Sequence, residues 1–141
     1  MGQFMKPGRV VILSSGRFAG KKAIIVNQHD LRENRKFPHA LVAGIERYPK
    51  RVTKRMGKKR IARKCHIKPF LKPVNLTHLI PTRYVVKDFE FEGVTDESLK
   101  DKETKVEAKK ALRTLFENKY LNPPKDDKGD NVKFFFKKLR F

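Results

Sequence analysis

The 141-residue chain has a single cysteine, Cys65, and no tryptophan. A lone thiol excludes an internal disulfide and any zinc site built from several thiolates, and it fits a reducing, intracellular setting. No apolar run approaches the roughly 18 residues needed to span a bilayer. Met1 to Pro7 also lacks the apolar stretch of a secretory signal, so a soluble, unsecreted protein is expected. Gly2 does not open a myristoylation pattern, because the sixth position, which wants a hydroxyl, holds Lys6. Hydrophobic residues make up only 38%, although 11 phenylalanines leave material for a compact core of modest size.

The most informative scarcity is of negative charge. From Arg47 to Lys87 the chain runs for 41 residues without an Asp or Glu while carrying 14 Lys or Arg. Residues 1–87 hold 22 basic and 3 acidic side chains, a net of +19, whereas residues 88–141 hold 13 and 12, a net of +1. A folded body with that much like charge repels itself and persists more easily beside a polyanion. Nucleic acid is the expected partner.

What is present suggests a mainly β protein with α additions. The run Arg9-Val10-Val11-Ile12-Leu13 and the run Ala23-Ile24-Ile25-Val26 read as buried strands joined by a tight loop. A parallel pair would need a crossover of about a dozen residues or more, so they predict a hairpin. Asn27 to Pro38 reads as a polar connector, with His29 and His39 on the surface, before a third strand over Ala40 to Ile45. Phe70-Leu71 and Val74 to Arg83 read as irregular strands, with Pro73 and Pro81 marking edges or bends, and Tyr84-Val85-Val86 as the closure of a small antiparallel barrel.

Two segments fall outside that barrel. Between Tyr48 and Lys68 basic pairs and triples crowd the chain, the apolar residues make no helical stripe, and Gly57 with flanking Pro49 and Pro69 limits any helix to one or two turns. This segment has no core of its own and is expected to order on binding. Leu99 to Tyr120 predicts an amphipathic helix with Ala108, Leu112, Leu115 and Phe116 on one face, Asp101 standing four residues before Lys105, and Asn122-Pro123-Pro124 as the stop. The expected division is therefore a barrel with its basic segment over 1–87 and a helical extension with an extended aromatic and basic tail over 88–141. Phe134 to Phe136 and Phe141 could stack on unpaired bases, but consecutive rings favour folding back over Leu112, Leu115 and Phe116.

Several catalytic and metal readings fail on spacing. Gly16 to Lys22 has three residues between its glycines where a P-loop needs four, and Lys22 replaces the magnesium-binding hydroxyl. Gly16 and Gly20 are better explained as structural turn residues with positive φ. Cys65, His66 and His78 lack a fourth ligand for zinc, and Asp126, Asp127 and Asp130 do not fit a calcium loop. Ser14 and Ser15 sit in a turn without a base. No cofactor, metal, small-molecule substrate or reaction is expected.

The stretch from Lys6 through Gly8, Leu13, Gly16 and Gly20 to Val26 resembles a KOW motif, in which an apolar strand leads through a basic glycine loop into a second strand. It departs from the pattern at Ala23, where a further glycine is common. The motif alone implies an RNA-associated SH3-like barrel. The start Met1-Gly2-Gln3-Phe4-Met5-Lys6-Pro7-Gly8, the block His78-Leu79-Ile80-Pro81-Thr82-Arg83-Tyr84-Val85 and the ending Phe135-Phe136-Lys137-Lys138-Leu139-Arg140-Phe141 together resemble the eukaryotic large-subunit ribosomal protein twenty-seven family, unrelated to its bacterial namesake. Glu92 to Asp130 carries no motif of that family beyond length and helical character.

That resemblance implies a non-enzymatic component of the large ribosomal subunit, with ribosomal RNA and neighbouring ribosomal proteins as partners. It also implies residence in the cytoplasm after nuclear and nucleolar passage during assembly. The alternative is a KOW-type transcription or chromatin factor. The cations expected to touch RNA are Lys6 and Arg9 at the first strand and Arg17, Lys21 and Lys22 in the glycine loop. In the basic segment they are Arg47, Lys50, Arg51, Lys54, Arg55, Lys58, Lys59, Arg60, Arg63, Lys64 and Lys68. Arg83 follows, with Lys137, Lys138 and Arg140 in the tail.

Overall fold

The computed structural model describes residues 4–29 and 35–140. Strands β1 (Arg9–Leu13) and β2 (Lys22–His29) form the expected hairpin, and β3 (His39–Arg47) continues the meander. After the basic segment, β4 (Lys68–Asn75) pairs with β3, and a 3-10 turn over Leu76–His78 sends β5 (Leu79–Val85) to the free edge of β1. The result is one antiparallel sheet in the order β4-β3-β2-β1-β5. Register shifts between Arg9 and Val11, Ile25 and Asn27, and Ile45 and Arg47 supply the irregularities that bend a sheet.

Strand alternation gives the sheet two apolar faces. Val11 and Leu13, Ala23 and Ile25, Ala40 and Val42, Phe70 and Val74, and Leu79 form one cluster drawn from all five strands, so this face curls around its own interior as a small barrel. Gly44 lies opposite Phe70 in the β3–β4 register, and a Cβ there would come within 2.4 Å of Phe70 Cζ. The missing side chain lets that ring settle on the sheet and stack on Phe18 at 4.1 Å between centroids.

The residues between them in sequence, Val10, Ile24, Leu41, Ala43 and Ile45, face outward and would be wet without a cover. Helix α2 (Lys102–Leu121) provides it with Ala108, Leu112 and Phe116, which share one helical face, while Leu115 is partly buried beside them. Helix α3 (Asn131–Phe136) adds Val132, Phe135 and Phe136. The step in charge at residue 87 is thus crossed by one continuous hydrophobic cluster.

Three expectations change. The tail is not extended at 131–136: a helical turn brings Val132, Phe135 and Phe136 to one face, whereas a strand would turn consecutive rings to opposite sides. His29 and His39 are not surface residues, because β2 runs on to pair His29 with His39, and both are 4% exposed. The Asp96 carboxylate reaches His29 Nε2 from the loop before α2. Part of the expected polar connector, residues 30–34, lies outside the described residues, as does Phe141. Finally, α2 begins at Lys102, and Asp101 precedes the helix without pairing with Lys105; the two are joined only by the helical bond from the Lys105 N–H to the Asp101 carbonyl.

Candidate nucleic-acid interface

Glycine geometry shapes the β1–β2 loop. Gly16 and Gly20 adopt φ of +85° and +78°, which L side chains resist, and the Gly20 N–H donates to the Leu13 carbonyl at 2.7 Å. The turn lifts Arg17 into solvent with its guanidinium 4.8 Å from the Phe18 ring, and it leaves Lys21 half-buried, 5.7 Å from the Tyr48 ring.

Lys22 does not join them. It shares the outward parity of Ile24, so it points beneath α3 and is 2% exposed. Its ammonium donates to the carbonyls of Phe134 at 2.7 Å and Lys137 at 2.5 Å, and lies 3.8 Å from the Phe134 ring centroid. A cation is well placed at the C-terminal end of a helix. Burial, and then repulsion from Lys137, lowers the Lys22 pKa to about 8. Within this fold Lys22 fastens the tail and is withheld from phosphate. The adjoining Tyr48, whose hydroxyl accepts from the Lys22 backbone N–H at 2.7 Å, is pushed up to about 12 by burial.

The basic segment folds around one short helix, α1 (Lys58–Lys64), in keeping with the one or two turns that Gly57 allows. No residue of α1 is buried, and Lys58, Lys59, Arg60 and Arg63 are exposed, with Lys64 half-exposed. Arg47, Lys50, Arg51, Lys54 and Arg55 extend the same exposed array toward its N-terminal side. Among the described residues no carboxylate lies in ion-pair range of any of these ten cations. Lys68, by contrast, pairs with Glu46 at 3.1 Å, which neutralises part of its charge.

The segment is held at its base. The Lys50 N–H donates to the Lys64 carbonyl at 2.8 Å, while Cys65 and Ile67 are buried at 3% and 0% exposure. Glu117 on α2 accepts from the Ile67 N–H at 3.2 Å and lies 3.3 Å from His66 Nδ1, and the Tyr120 hydroxyl donates to the Lys50 carbonyl at 3.4 Å. Burial first and Glu117 second raise the Cys65 pKa, so its thiol is a packing group. These pins on α2 carry no sequence signature, because a lone Glu on a helix reads as solvated.

The remaining candidates are scattered. Lys6 and Arg83 are exposed, the latter beside the Tyr84 ring. Arg9 is half-buried and donates through Nη1 to the Thr82 carbonyl at 2.8 Å. Lys137, Lys138 and Arg140 are exposed beyond α3. The phenylalanines before them are occupied: Phe135 and Phe136 pack edge-on against Phe116, and Phe134 stacks on Tyr84 at 3.9 Å. The expected packing over the α2 face holds for Phe135 and Phe136, whereas Phe134 packs on Tyr84 of β5 with the Lys22 ammonium beside its ring.

The sequence pattern hides one further group of cations. Lys72 on β4 and Lys105 and Lys109 on α2 join Arg17 around a cleft floored by Phe18, Phe70 and Leu71, with a volume of about 400 Å³. The four come from three distant stretches, and two of them sit in the half of the chain that is nearly neutral. Among the described residues no cluster of three or more His, Cys, Asp or Glu could hold a metal, and no helix is long and apolar enough to cross a membrane.

The ribosomal L27e protein family matches residues 10–141. The large ribosomal subunit protein eL27 of Tetrahymena thermophila is 49% identical over 144 residues, and that of Caenorhabditis elegans 46% identical over 143, each covering the whole of both chains. The eL27B protein of Saccharomyces cerevisiae is 44% identical over 143 residues with the same coverage. Matched along almost its whole length by the family and end to end by these relatives, the chain belongs to the ribosomal L27e protein family.

Proposed function

We propose that this protein is a structural constituent of the large ribosomal subunit that binds and clamps ribosomal RNA and takes part in subunit assembly, with no reaction of its own. The observation that carries the reading is the surface of α1 and its N-terminal approach, where ten cations from Arg47 to Lys64 stand without carboxylate partners among the described residues, on a backbone pinned to α2. The names of the full-length relatives point the same way. Such an array fits contacts to phosphate and sugar, since an A-form duplex hides its major-groove edges from side chains. Affinity would come from counterion release and fall steeply with salt. Arginine forks can grip phosphate in a fixed direction, and the lysines add charge with less direction. Neighbouring ribosomal proteins would meet the remaining surface, and the protein would pass through the nucleus before serving in the cytoplasm.

The test is replacement of Lys54, Arg55, Lys58, Lys59, Arg60, Arg63 and Lys64 by Gln. None is buried, so the fold should persist while incorporation into large subunits drops and its dependence on salt flattens. Unchanged incorporation across a salt series would remove RNA clamping by this surface. In sucrose gradients the native protein should travel with large subunits; recovery chiefly with polymerase or chromatin would favour a transcription or chromatin factor instead.

A further inference from the structure

The cleft between the β1–β2 loop and the N-terminal half of α2 faces a different need from the α1 surface. Its four cations, Arg17, Lys72, Lys105 and Lys109, surround an aromatic floor, and no acidic residue lines it. Lys105 and Lys109 are one helical turn apart and therefore project from the same side of α2, a like-charge spacing that is unfavourable on a bare helix. On the opposite wall the Lys72 ammonium lies 6.0 Å from the Phe18 ring centroid and the Arg17 guanidinium 4.8 Å from it. Among the described residues none of the four has an ion-pair partner. Mutual repulsion of this kind is relieved by an anion seated among the charges.

Shape decides which anion. A volume of about 400 Å³ falls in the range of small-molecule sites, roughly 300–1,000 Å³, so the cleft admits one nucleotide and excludes a double helix. The floor offers no platform for a base: Phe18 and Phe70 stack face to face at 3° between planes and are 6% and 1% exposed. Recognition must then fall on the charged part of the nucleotide, which every sequence shares.

We propose that this cleft is a second anion seat that takes a backbone phosphate of an unpaired RNA strand, such as a bulge or a loop, while the α1 surface lies along paired RNA. The proposal rests on the RNA-binding reading above and divides it between two surfaces. It joins the glycine loop to α2, which gives the nearly neutral C-terminal half an RNA-facing role of its own.

The test uses the full chain with two probes, a labelled oligouridylate and a fully paired RNA duplex, titrated by fluorescence anisotropy over a series of salt concentrations. Lys105→Gln with Lys109→Gln should weaken oligouridylate binding about tenfold and flatten its log K against log salt slope by roughly 0.7 for each phosphate left unneutralised, with little change for the duplex. Lys105→Arg with Lys109→Arg should restore the affinity, and Lys72→Gln should repeat the effect from the sheet side without touching the helix. Unchanged oligouridylate binding in both Gln variants, or an equal weakening for both probes, overturns the proposal. So does a cleft that holds inorganic phosphate, seen by NMR at the lysine side chains, but not oligouridylate. The variant with the seven Gln replacements from Lys54 to Lys64, read in parallel, keeps the two readings apart, since its weakened duplex binding supports the α1 surface whatever the cleft does.

Discussion

The segment 47–68 and the segment 88–141 are both rich in lysine, yet the fold uses them in opposite ways. The first contains no acidic residue and its helix α1 buries nothing. In the second, twelve acidic residues balance the basic ones, and the apolar remainder covers the outward face of the sheet through α2 and α3. Charge without burial makes a surface that is stable only because something else holds it. Here that support is α2, through Glu117 and Tyr120. The nearly neutral segment thus helps to fix the charged one on the sheet.

The largest effect should come from the supporting side. Phe116 is fully buried and meets Phe89, Phe135 and Phe136. Phe116→Ala should cost ~3–5 kcal/mol in chemical denaturation. Replacing the seven cations from Lys54 to Lys64 by Gln should leave that midpoint almost unmoved. If the two variants were equally destabilised, the division into a supporting half and a presenting half would be wrong.

Next in size is Lys22, a cation of the basic half locked inside the neutral half. An ordinary value of 10.5 falls to about 8 in the fold, so between those pH values the unfolded chain binds the proton that the native state has released. Native stability should therefore rise from pH 8 to 10.5, by at most ~3 kcal/mol, and that gain should disappear as pH falls back to 8, below which both states hold the proton. Tyr48 works against this above pH 10, since its value is raised to about 12 and its contribution is lost as pH climbs. The readout is the difference between wild type and Lys22→Met at roughly pH 7.5 to 10, and a flat difference would remove Lys22 from the pH dependence.

How much of this could be read from the chain follows from where each signal lies. The hairpin, the third strand and the face of α2 were legible because their apolar periodicity is local, and Gly20 was legible because a tight loop needs positive φ. The burial of Lys22 was not, although alternation places it on the parity of Ile24; its partners are carbonyls more than a hundred residues away, and backbone carbonyls have no sequence. His29 and His39 misled for the same reason, because their burial depends on the pairing of two strand ends. Lys72, Lys105 and Lys109 are invisible as a set until the sheet and α2 meet.

Gly20→Val tests the loop that begins the charged half. No atom lies within 4 Å of the point where a Cβ on Gly20 would stand, so the substitution meets no clash and the cost is backbone strain alone. About 1–2 kcal/mol is expected from forcing a β-branched residue to φ near +78°. An unchanged melting temperature would show that the loop tolerates another conformation.

The smallest effect on stability falls on the joint between the halves. Glu117 accepts one backbone bond, from Ile67, and faces His66, so Glu117→Ala should cost only ~1 kcal/mol. Its effect on α1 should be larger than that figure suggests, because α1 has no buried residue to hold it once its base is loosened. Amide exchange over Lys58–Lys64 should accelerate in Glu117→Ala while the strands stay protected. Glu117→Gln keeps an oxygen for the Ile67 N–H and should leave exchange near wild type. If exchange in α1 rose equally in both, the carboxylate facing His66 would be the true hold; if it rose in neither, α1 would owe its position to Cys65, Ile67 and the Lys50–Lys64 backbone bond, and the C-terminal half would support the charged segment by burial alone.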